Sequence, residues 1–292
     1  MNSTNPTHPQ NTTEGKVSAT AKALRILDCF TPTRTELTLA QISRLLEMPK
    51  STLLNQVRTL ESAGYLMKNC DTQAYRLGFK VMELSYCAHA ATPIIQYAIP
   101  LMEELQAASG EIVYLTSHID GKVFYLECIY PTRRSVSYSV SGKTLLMHCT
   151  GCGKAMLSQM PTAQVEAIID RYGLPASTPN TITDRDRLFE KLGEYRRLGY
   201  ATDNEEETPG VKCVATAVRT GSGEVAGALS ISGSILSMTD ENVRKYAMLL
   251  SRASATLSQY AHLFPAIQCG KEHSLVSLLC GAPSGWKTPP AI

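Results

Sequence analysis

The sequence predicts an α+β protein of two domains, in which a small helical domain that closes with a β-hairpin precedes a larger domain of strands and helices. Three observations support this prediction. The chain has 292 residues, more than one domain usually needs. Two short amphipathic segments near the amino terminus are followed by a pair of strand-like segments, and further along two apolar runs flank an Asp-Gly pair. Two separate cores are therefore expected.

The composition is typical of a globular protein and excludes several functional classes. Hydrophobic residues make up 43% and charged residues 18%, and no apolar run approaches the roughly 20 residues that cross a bilayer, so no membrane role is expected. Residues 1–17 lack the pattern of a secretory signal and are predicted to form a disordered tail. The nine cysteines are odd in number and irregularly spaced, which indicates a reducing compartment and predicts a cytoplasmic protein.

The net charge of +2 is unevenly distributed along the chain. Residues 1–80 contain ten basic and six acidic residues, whereas residues 81–292 contain eighteen basic and twenty acidic ones. The amino-terminal part is therefore the positive one, which suits an anionic partner there.

Two helices are predicted at the start of the small domain. The first covers residues 19–30, where Leu24 and later apolar residues recur every three positions, and this face is expected to pack against the next helices. Thr38 and Gln41 have the spacing of a capping box, which predicts that the second helix begins there. Pro49 forces the chain out of that second helix.

A third helix is predicted over residues 50–63, because Leu53, Val57 and Leu60 fall on one side of it at 100° per residue. Gly64 is expected to end it in a left-handed conformation. The opposite side is polar and lacks acids, with Ser51, Asn55 and Arg58. Two short helices joined by about four residues are typical of a helix-turn-helix, whose second helix lies in the major groove of DNA.

Two short strands follow, at residues 65–68 and 75–77, joined by a turn-forming stretch at 69–73. This hairpin predicts a winged helix-turn-helix domain over residues 18–78. Such a helix pair can also merely pack or dimerise, but the hairpin and the local positive charge favour DNA binding. The predicted contacts with base edges are Ser51, Thr52, Asn55 and Gln56, and the predicted contacts with phosphates are Lys50, Arg58, Lys68 and Arg76.

The larger domain begins after a predicted linker helix at residues 79–93, and a second helix is expected at 93–108. Residues 112–119 and 122–129 are strand-like runs on either side of Asp120-Gly121, a dipeptide that favours a tight hairpin. Because both runs are nearly continuously apolar, we expect helices to cover both faces of their sheet.

The rest of the larger domain is predicted to alternate between strands and helices. Strands are predicted at 135–140, 211–219 and 224–232, and helices at 151–158, 162–171, 184–198 and 239–262. These elements predict a mixed sheet between helices. The domain is expected to cover residues 94–264, and the last residues, 265–292, form a tail to which no role is assigned.

Several segments, in order, resemble the IclR family of transcription regulators over residues 18–263. They are Met48-Pro49-Lys50-Ser51-Thr52, Ala63-Gly64-Tyr65, Tyr75-Arg76-Leu77-Gly78, the residues from His148 to Ala155, Leu198-Gly199-Tyr200, the residues from Gly210 to Ala215, and the residues from Ala228 to Gly233. The resemblance implies an operator-binding protein with a GAF-like effector-binding domain. It also implies self-association, as dimers through the amino-terminal half and as tetramers through the sensor halves.

Two positions depart from the family pattern. Many members carry arginine where this chain has Asn55, and proline is common where it has Leu146. The base preference of the family therefore does not transfer to this chain. Because asparagine pairs with adenine through two hydrogen bonds, an A·T contact at Asn55 is the hypothesis.

A candidate ligand site combines a helix start with hydroxyl groups. The glycine-flanked helix start at Gly151 and Cys152 presents unpaired amides that could hold a carboxylate. Ser230 and Ser232 alternate on a predicted strand and so share one face, and Asp203 could orient a ligand hydroxyl. Alternatively, these serines are ordinary strand residues and the glycines only pack. The resemblance implies that keto acids, sugar acids or aromatic acids bind at Gly151, Cys152, Asp203, Cys213, Ser230 and Ser232.

Several other motifs in the sequence indicate no chemistry of their own. The Ser-Gly-Lys-Thr at 141–144 lacks the earlier glycine of a phosphate-binding loop, and Cys149 and Cys152 form a CxxC that has no second pair for a metal. The acidic run at 203–207 is predicted to be a solvated face. No nucleophile stands beside a base, so neither an enzyme nor a cofactor is expected. The alternative function is a thiol-based redox sensor that uses Cys152 and Cys213.

Overall fold

The computed structural model describes residues 19–131 and 141–264 of the chain. These residues divide into two compact units, with the boundary between Ala88 and His89. Within the described ranges, no helix is long and apolar enough to cross a membrane. Three predicted segments lie outside the described residues, namely the tails at 1–17 and 265–292 and the strand at 135–140.

The amino-terminal unit has helices packed beside a three-stranded antiparallel sheet of order β1-β3-β2. Its elements are α1 (Ala19–Leu27), β1 (Leu37–Thr38), α2 (Leu39–Leu46), α3 (Lys50–Ser62), β2 (Leu66–Lys68), β3 (Ala74–Leu77) and α4 (Phe79–Ala90), the last of which runs across the boundary between the units. The predicted winged helix-turn-helix is confirmed. Strand β1 was not predicted, because its two residues carry no pattern of their own.

Local sequence signals account for α2 and α3. The Thr38 hydroxyl accepts a hydrogen bond from the Gln41 amide at 3.3 Å, and the Gln41 side chain accepts one from the Thr38 amide at 2.8 Å, which confirms the capping box. Leu53 and Val57 are completely buried, as their spacing predicted. Gly64 has φ +78°, the left-handed conformation expected after α3.

The prediction for α1 was wrong in its length and in its buried face. The helix ends at Leu27 instead of residue 30, Ile26 is completely buried, and Leu24 is 43% exposed. A spacing of three residues is shorter than the helical repeat of 3.6, so a row of such residues drifts around the helix. The face that meets α2 and α3 is therefore the one that contains Ile26.

The end of α3 and the start of α4 are joined by backbone contacts. The Gly78 amide donates to the Tyr65 carbonyl at 2.8 Å, and the Lys80 amide donates to the Gly64 carbonyl at 3.3 Å. A Cβ atom on Gly78 would lie 2.0 Å from the Gly64 carbonyl oxygen, so only glycine allows this approach. The two helices therefore share one rigid junction.

The carboxy-terminal unit contains a six-stranded sheet of order β6-β5-β4-β9-β8-β7. Its elements are α5 (Ile94–Ser109), β4 (Ile112–Ile119), β5 (Lys122–Ile129), β6 (Thr144–Leu146), α6 (Gly151–Leu157), α7 (Thr162–Tyr172), α8 (Arg185–Leu198), β7 (Ala201–Asn204), β8 (Val211–Arg219), β9 (Val225–Ser234), α9 (Asp240–Ser258) and a 3₁₀ turn (Ala261–Leu263). The predicted helix at 239–262 is thus divided in two.

The prediction of a mixed sheet was wrong, because every strand pair in this sheet is antiparallel. Short connections such as Asp120-Gly121, where both residues have positive φ, join consecutive strands as hairpins, and hairpins impose antiparallel pairing. Strands β6 and β7 were not predicted, since each is short and partly polar.

Helices cover both faces of the sheet and give the unit two hydrophobic cores. One core contains apolar residues of α5 and α9, and the other contains residues of α6, α7 and α8. Strand β4 contributes to the first core through Val113 and Leu115, and β5 contributes to the second through Val123. This arrangement explains why the strands are nearly continuously apolar, as predicted.

The space around two glycines predicts opposite effects of the same substitution. A Cβ atom on Gly153 in α6 would lie 2.2 Å from the Met147 carbonyl oxygen, whereas one on Gly193 in α8 would meet nothing within 4 Å. We expect Gly153→Ala to lower the free energy of unfolding by about 1–3 kcal/mol. Gly193→Ala should raise it by about 0.5–1 kcal/mol, because alanine loses less backbone entropy in a helix. Denaturant titrations of both variants test this, and equal effects of the two substitutions would contradict it.

Candidate nucleic-acid interface and ligand cavity

The polar flank of α3 is open to solvent, as a groove-reading helix requires. Five of the predicted DNA-contacting residues on this helix are exposed and Gln56 is half-buried; the exposed ones are Lys50, Ser51, Thr52, Asn55 and Arg58. The helix begins after Pro49 and has no acid in its first turn. In the described part of the chain, neither Lys50 nor Arg58 forms an ion pair. Both cations therefore remain available to a phosphate backbone.

The wing formed by β2 and β3 presents its two basic residues on opposite faces. Lys68 pairs across the strands with Tyr75, and Arg76 pairs with Met67. Because cross-strand partners share a face and successive residues alternate, Lys68 and Arg76 point to different sides. Both side chains are exposed, and the Lys68 ammonium lies 5.7 Å from the centre of the Tyr75 ring. The wing therefore presents one positive charge on each of its faces.

A cavity of about 370 Å³ lies in the carboxy-terminal unit, at the end of the sheet where α6 begins. The structure brings together all six residues of the predicted effector site in its lining, namely Gly151, Cys152, Asp203, Cys213, Ser230 and Ser232. These residues come from α6 and from three adjacent strands, β7, β8 and β9. The cavity is large enough for a small organic ligand.

The floor of the cavity is a row of side chains on neighbouring strands. The register pairs Asp203 with Cys213, Cys213 with Ser232, and Ser232 with Ile112. The Cys213 thiol donates to the Ser232 hydroxyl at 3.0 Å. In the adjacent row Ser230 lies opposite Tyr114. Four strands thus contribute a carboxyl, a thiol, hydroxyls and apolar surface to one face.

The start of α6 lies close to this floor because residue 151 is a glycine. A Cβ atom on Gly151 would be 3.2 Å from Cβ of Cys213, closer than ordinary packing. The Thr150 hydroxyl caps the helix by accepting from the Gly153 amide at 3.2 Å. The amides of Gly151 and Cys152 lie in the first turn of this seven-residue helix, where no carbonyl of the helix can accept from them. Both residues line the cavity.

A buried ion pair behind the cavity connects α6 with the turn after β7. Lys154 is completely inaccessible to solvent, and its ammonium donates to Oε1 of Glu206, which is also buried. The Glu206 amide in turn donates to Oδ1 of Asp203 at 2.7 Å. The prediction of a solvated acidic face at 203–207 was therefore wrong for Asp203 and Glu206. A lysine within an otherwise apolar helix was the sequence signal that could have indicated this pair.

The environment of Asp203 changes its titration. Burial raises the pKa of this carboxyl from 3.8 to about 7, although the ammonium of Lys154 and the amide of Glu206 both favour the ionised form. Near neutral pH the group is therefore present in both states, either as a hydrogen-bond acceptor or as a donor towards the cavity.

The thiols around the cavity are poor candidates for redox chemistry. Burial raises the pKa of Cys152 and of Cys213, and it raises that of Cys149 to about 12, so the reactive thiolate is scarce at neutral pH. All three cysteines are free thiols. This environment disfavours the alternative of a thiol-based sensor. Over the described ranges, no group of three His, Cys, Asp or Glu residues is placed to hold a metal ion.

The structure adds lining residues that the sequence analysis did not assign to a ligand. Tyr114 and Tyr125 meet edge to face with ring centres 5.2 Å apart and form an aromatic wall. At the rim the Lys143 ammonium lies 3.8 Å from Oε1 of Glu207. Lys143 belongs to the Ser-Gly-Lys-Thr segment that resembles the end of a phosphate-binding loop, and its position beside the cavity depends on the pairing of β5 with β6.

Comparisons with known proteins cover most of the chain. Residues 19–69 match the IclR helix-turn-helix domain, and residues 87–259 match the carboxy-terminal domain described as bacterial transcriptional regulator IclR C-terminal. The HTH-type transcriptional regulator XynR of Escherichia coli is 32% identical over 244 residues, which is 83% of this chain and 96% of that protein. These relatives are regulators of transcription and not enzymes.

Solved structures show the same architecture. An IclR transcriptional regulator from Alicyclobacillus acidocaldarius is 25% identical with a TM-score of 0.75, and the match covers 85% of this chain and all of that one. An IclR homologue from Microbacterium hydrocarbonoxydans, solved in complex with 4-hydroxybenzoate, is 24% identical with a TM-score of 0.71 and covers 84% of this chain and 99% of its own. Because its identity is only 24%, the likeness to the Microbacterium structure shows a shared fold and nothing more.

The raised pKa of Asp203 predicts how stability changes with pH. Between pH 3.8 and about 7 this carboxyl is ionised in the unfolded chain but protonated in the folded one, so it lowers stability as pH rises through that window. Asp203→Asn removes the effect. From pH 5 to pH 8 we expect the stability of Asp203→Asn to increase relative to wild type by about 3 kcal/mol, or two pH units at 1.36 kcal/mol each.

Denaturant titrations at both pH values measure this difference. Asp71→Asn, which removes an exposed carboxyl in the wing, is the matched control and should follow the wild-type pH profile. Parallel profiles for wild type and Asp203→Asn would show that burial does not perturb this carboxyl.

Proposed function

Because this chain belongs to the IclR family of bacterial transcriptional regulators, we propose that it binds operator DNA in a sequence-specific manner in the cytoplasm and that a small carboxylate-containing effector modulates this binding. One observation carries the proposal. The amino-terminal unit exposes an acid-free recognition helix, while the carboxy-terminal unit encloses a cavity of about 370 Å³ lined with hydroxyl groups.

The proposed DNA interface is the exposed flank of α3 together with the wing. The amino-terminal part of α3 enters the major groove, where short polar side chains reach base edges and basic ones contact phosphates. Ser51, Thr52, Asn55 and Gln56 are the base-reading residues of this proposal. Lys50, Arg58, Lys68 and Arg76 are its phosphate contacts, and they make binding dependent on salt.

We propose that the chain acts as a dimer through its amino-terminal half. Helix α4 has no buried residue, and Phe79, Met82 and Tyr86 on it are each more than half exposed. Several large apolar side chains exposed on one helix are typical of a surface that contacts another protein. A second copy would place two α3 helices about 34 Å apart, one turn of DNA, and pairing of the carboxy-terminal units would extend the dimer to a tetramer.

The proposed effector site is the cavity beside α6. Amides at Gly151 and Cys152, hydroxyls of Ser230 and Ser232, and the Asp203 carboxyl supply donors and acceptors, while the tyrosines supply apolar surface. Small acids with hydroxyl, keto or aromatic groups fit this chemistry, and the 4-hydroxybenzoate held by the Microbacterium homologue is one such acid. The effector changes operator affinity only if it binds the DNA-bound and free arrangements with different affinity.

Substitutions on α3 should separate base reading from phosphate binding. Asn55→Ala should remove a preference for A·T at one operator position, worth about 1–3 kcal/mol. Lys50→Ala should weaken binding to all sequences alike and reduce the slope of log affinity against log salt by about 1. Lys191→Ala, which removes a charge from the other unit, is the control. Selection from randomised duplexes and fluorescence anisotropy at several salt concentrations measure both effects.

Three results would contradict parts of the proposal. If the purified protein shows no salt-sensitive affinity for any DNA duplex, it does not bind operators. If Asn55→Ala has the same sequence preference as wild type, Asn55 does not read a base. Release of DNA on addition of a cavity-binding acid supports the effector function, whereas binding of such acids without any change in DNA affinity opposes it.

A further inference from the structure

The cavity of the proposed effector site is lined by more negative than positive groups. Among the described residues of the lining, Lys143 is the one basic side chain, against the two carboxyls of Asp203 and Glu207. A carboxylate that enters this space therefore approaches like charge, and a full positive charge beside it would offset that repulsion.

In the described part of the chain, the other positive groups near the cavity are either paired already or only partial charges. Lys154 is bonded to Glu206 behind the wall and does not line the cavity. Helix α6 has only seven residues, and its cap Thr150 already occupies the Gly153 amide. The start of so short a helix offers a partial charge, whereas Lys143 offers a full one.

The ion pair between Lys143 and Glu207 is weak. The Lys143 ammonium lies 3.8 Å from Oε1 of Glu207, beyond hydrogen-bonding distance, and the two side chains are 40% and 25% exposed. Glu207 also accepts a hydrogen bond on Oε2 from the Thr208 hydroxyl, so it keeps a donor when Lys143 leaves. A ligand carboxylate can therefore replace Glu207 at the ammonium at little cost.

We propose that Lys143 is the counter-ion of the effector carboxylate and that the effector displaces Glu207 from it on binding. This inference rests on the proposed effector function and adds to it the residue that selects for an acid. The binding is an exchange of one carboxylate for another at the same ammonium, so Glu207 is a competitor of the ligand.

The exchange predicts opposite effects for the two members of one ion pair. Lys143→Met should raise the dissociation constant of an acid at least tenfold, because the full positive charge that the described lining supplies is lost. Glu207→Gln should lower that constant about threefold or more, because the competing carboxylate is gone while the Thr208 hydroxyl keeps its acceptor. Damage to the fold would weaken binding in both variants, so the difference in sign is diagnostic. Lys143→Arg keeps the charge and should bind within a few-fold of wild type.

The experiment is isothermal calorimetry on the full-length chain. The probes are one acid of each class, 4-hydroxybenzoate, gluconate and pyruvate, and each is compared with its neutral primary amide. Lys143→Met should reduce the preference for the acid over its amide and leave the affinity for the amide unchanged. Lys191→Met is the matched control, since Lys191 is also 40% exposed and also paired with a glutamate, Glu194, but lies outside the cavity.

The outcomes separate this inference from the proposed function. If an acid binds wild type and Lys143→Met equally well, its carboxylate lies elsewhere and the inference is overturned, while the effector function stands. If Glu207→Gln weakens binding as much as Lys143→Met, the pair is structural and the inference also fails. If none of the three acids binds wild type, both the inference and the proposed carboxylate effector are overturned.

Discussion

The ion pair between Lys154 and Glu206 is the contact on which the geometry of the cavity depends. It joins α6, whose first residues form one wall, to the turn after β7, where the Glu206 amide donates a hydrogen bond to Asp203. Removing one partner of such a pair leaves a bare charge in the interior and costs about 3–5 kcal/mol, whereas an intact pair adds little net stability. The pair therefore acts mainly as a positional constraint, since any movement of α6 away from β7 exposes two charges to an apolar surrounding.

The sheet provides the rigid background for this constraint. Both of its faces are covered, so its strands cannot shift by one residue without moving apolar side chains out of a core. Its fixed register aligns Asp203, Cys213 and Ser232 in one row at the cavity floor. The polar side chains of this row are therefore positioned by the apolar residues that the same strands bury in the two cores.

How much of the structure can be predicted from the sequence depends on how far apart in the chain the contacting residues lie. The capped start of α2, the amphipathic α3 and the Asp120-Gly121 hairpin are local, and the sequence predicted each of them. The six cavity residues were placed together by resemblance, and the structure does bring them into one lining. The buried pair behind the cavity was missed, as were strand β7 and the antiparallel order of the sheet. Lys154 and Glu206 lie 52 positions apart, and β4 pairs with the distant β9, so periodicity carries no information about either contact. Strand β7 is too short and too polar to show a strand pattern.

The junction at Gly64 and Gly78 has a mechanical consequence. Because two backbone hydrogen bonds join the residues after α3 to the start of α4, the first turn of α4 and the end of α3 can move only together. Side chains on the open flank of α3 form none of these contacts, so substitutions there leave the junction unchanged. Any larger residue at position 78 would break this junction, because its Cβ atom would meet the Gly64 carbonyl oxygen, while the exposed side chains of α3 would be left as they are.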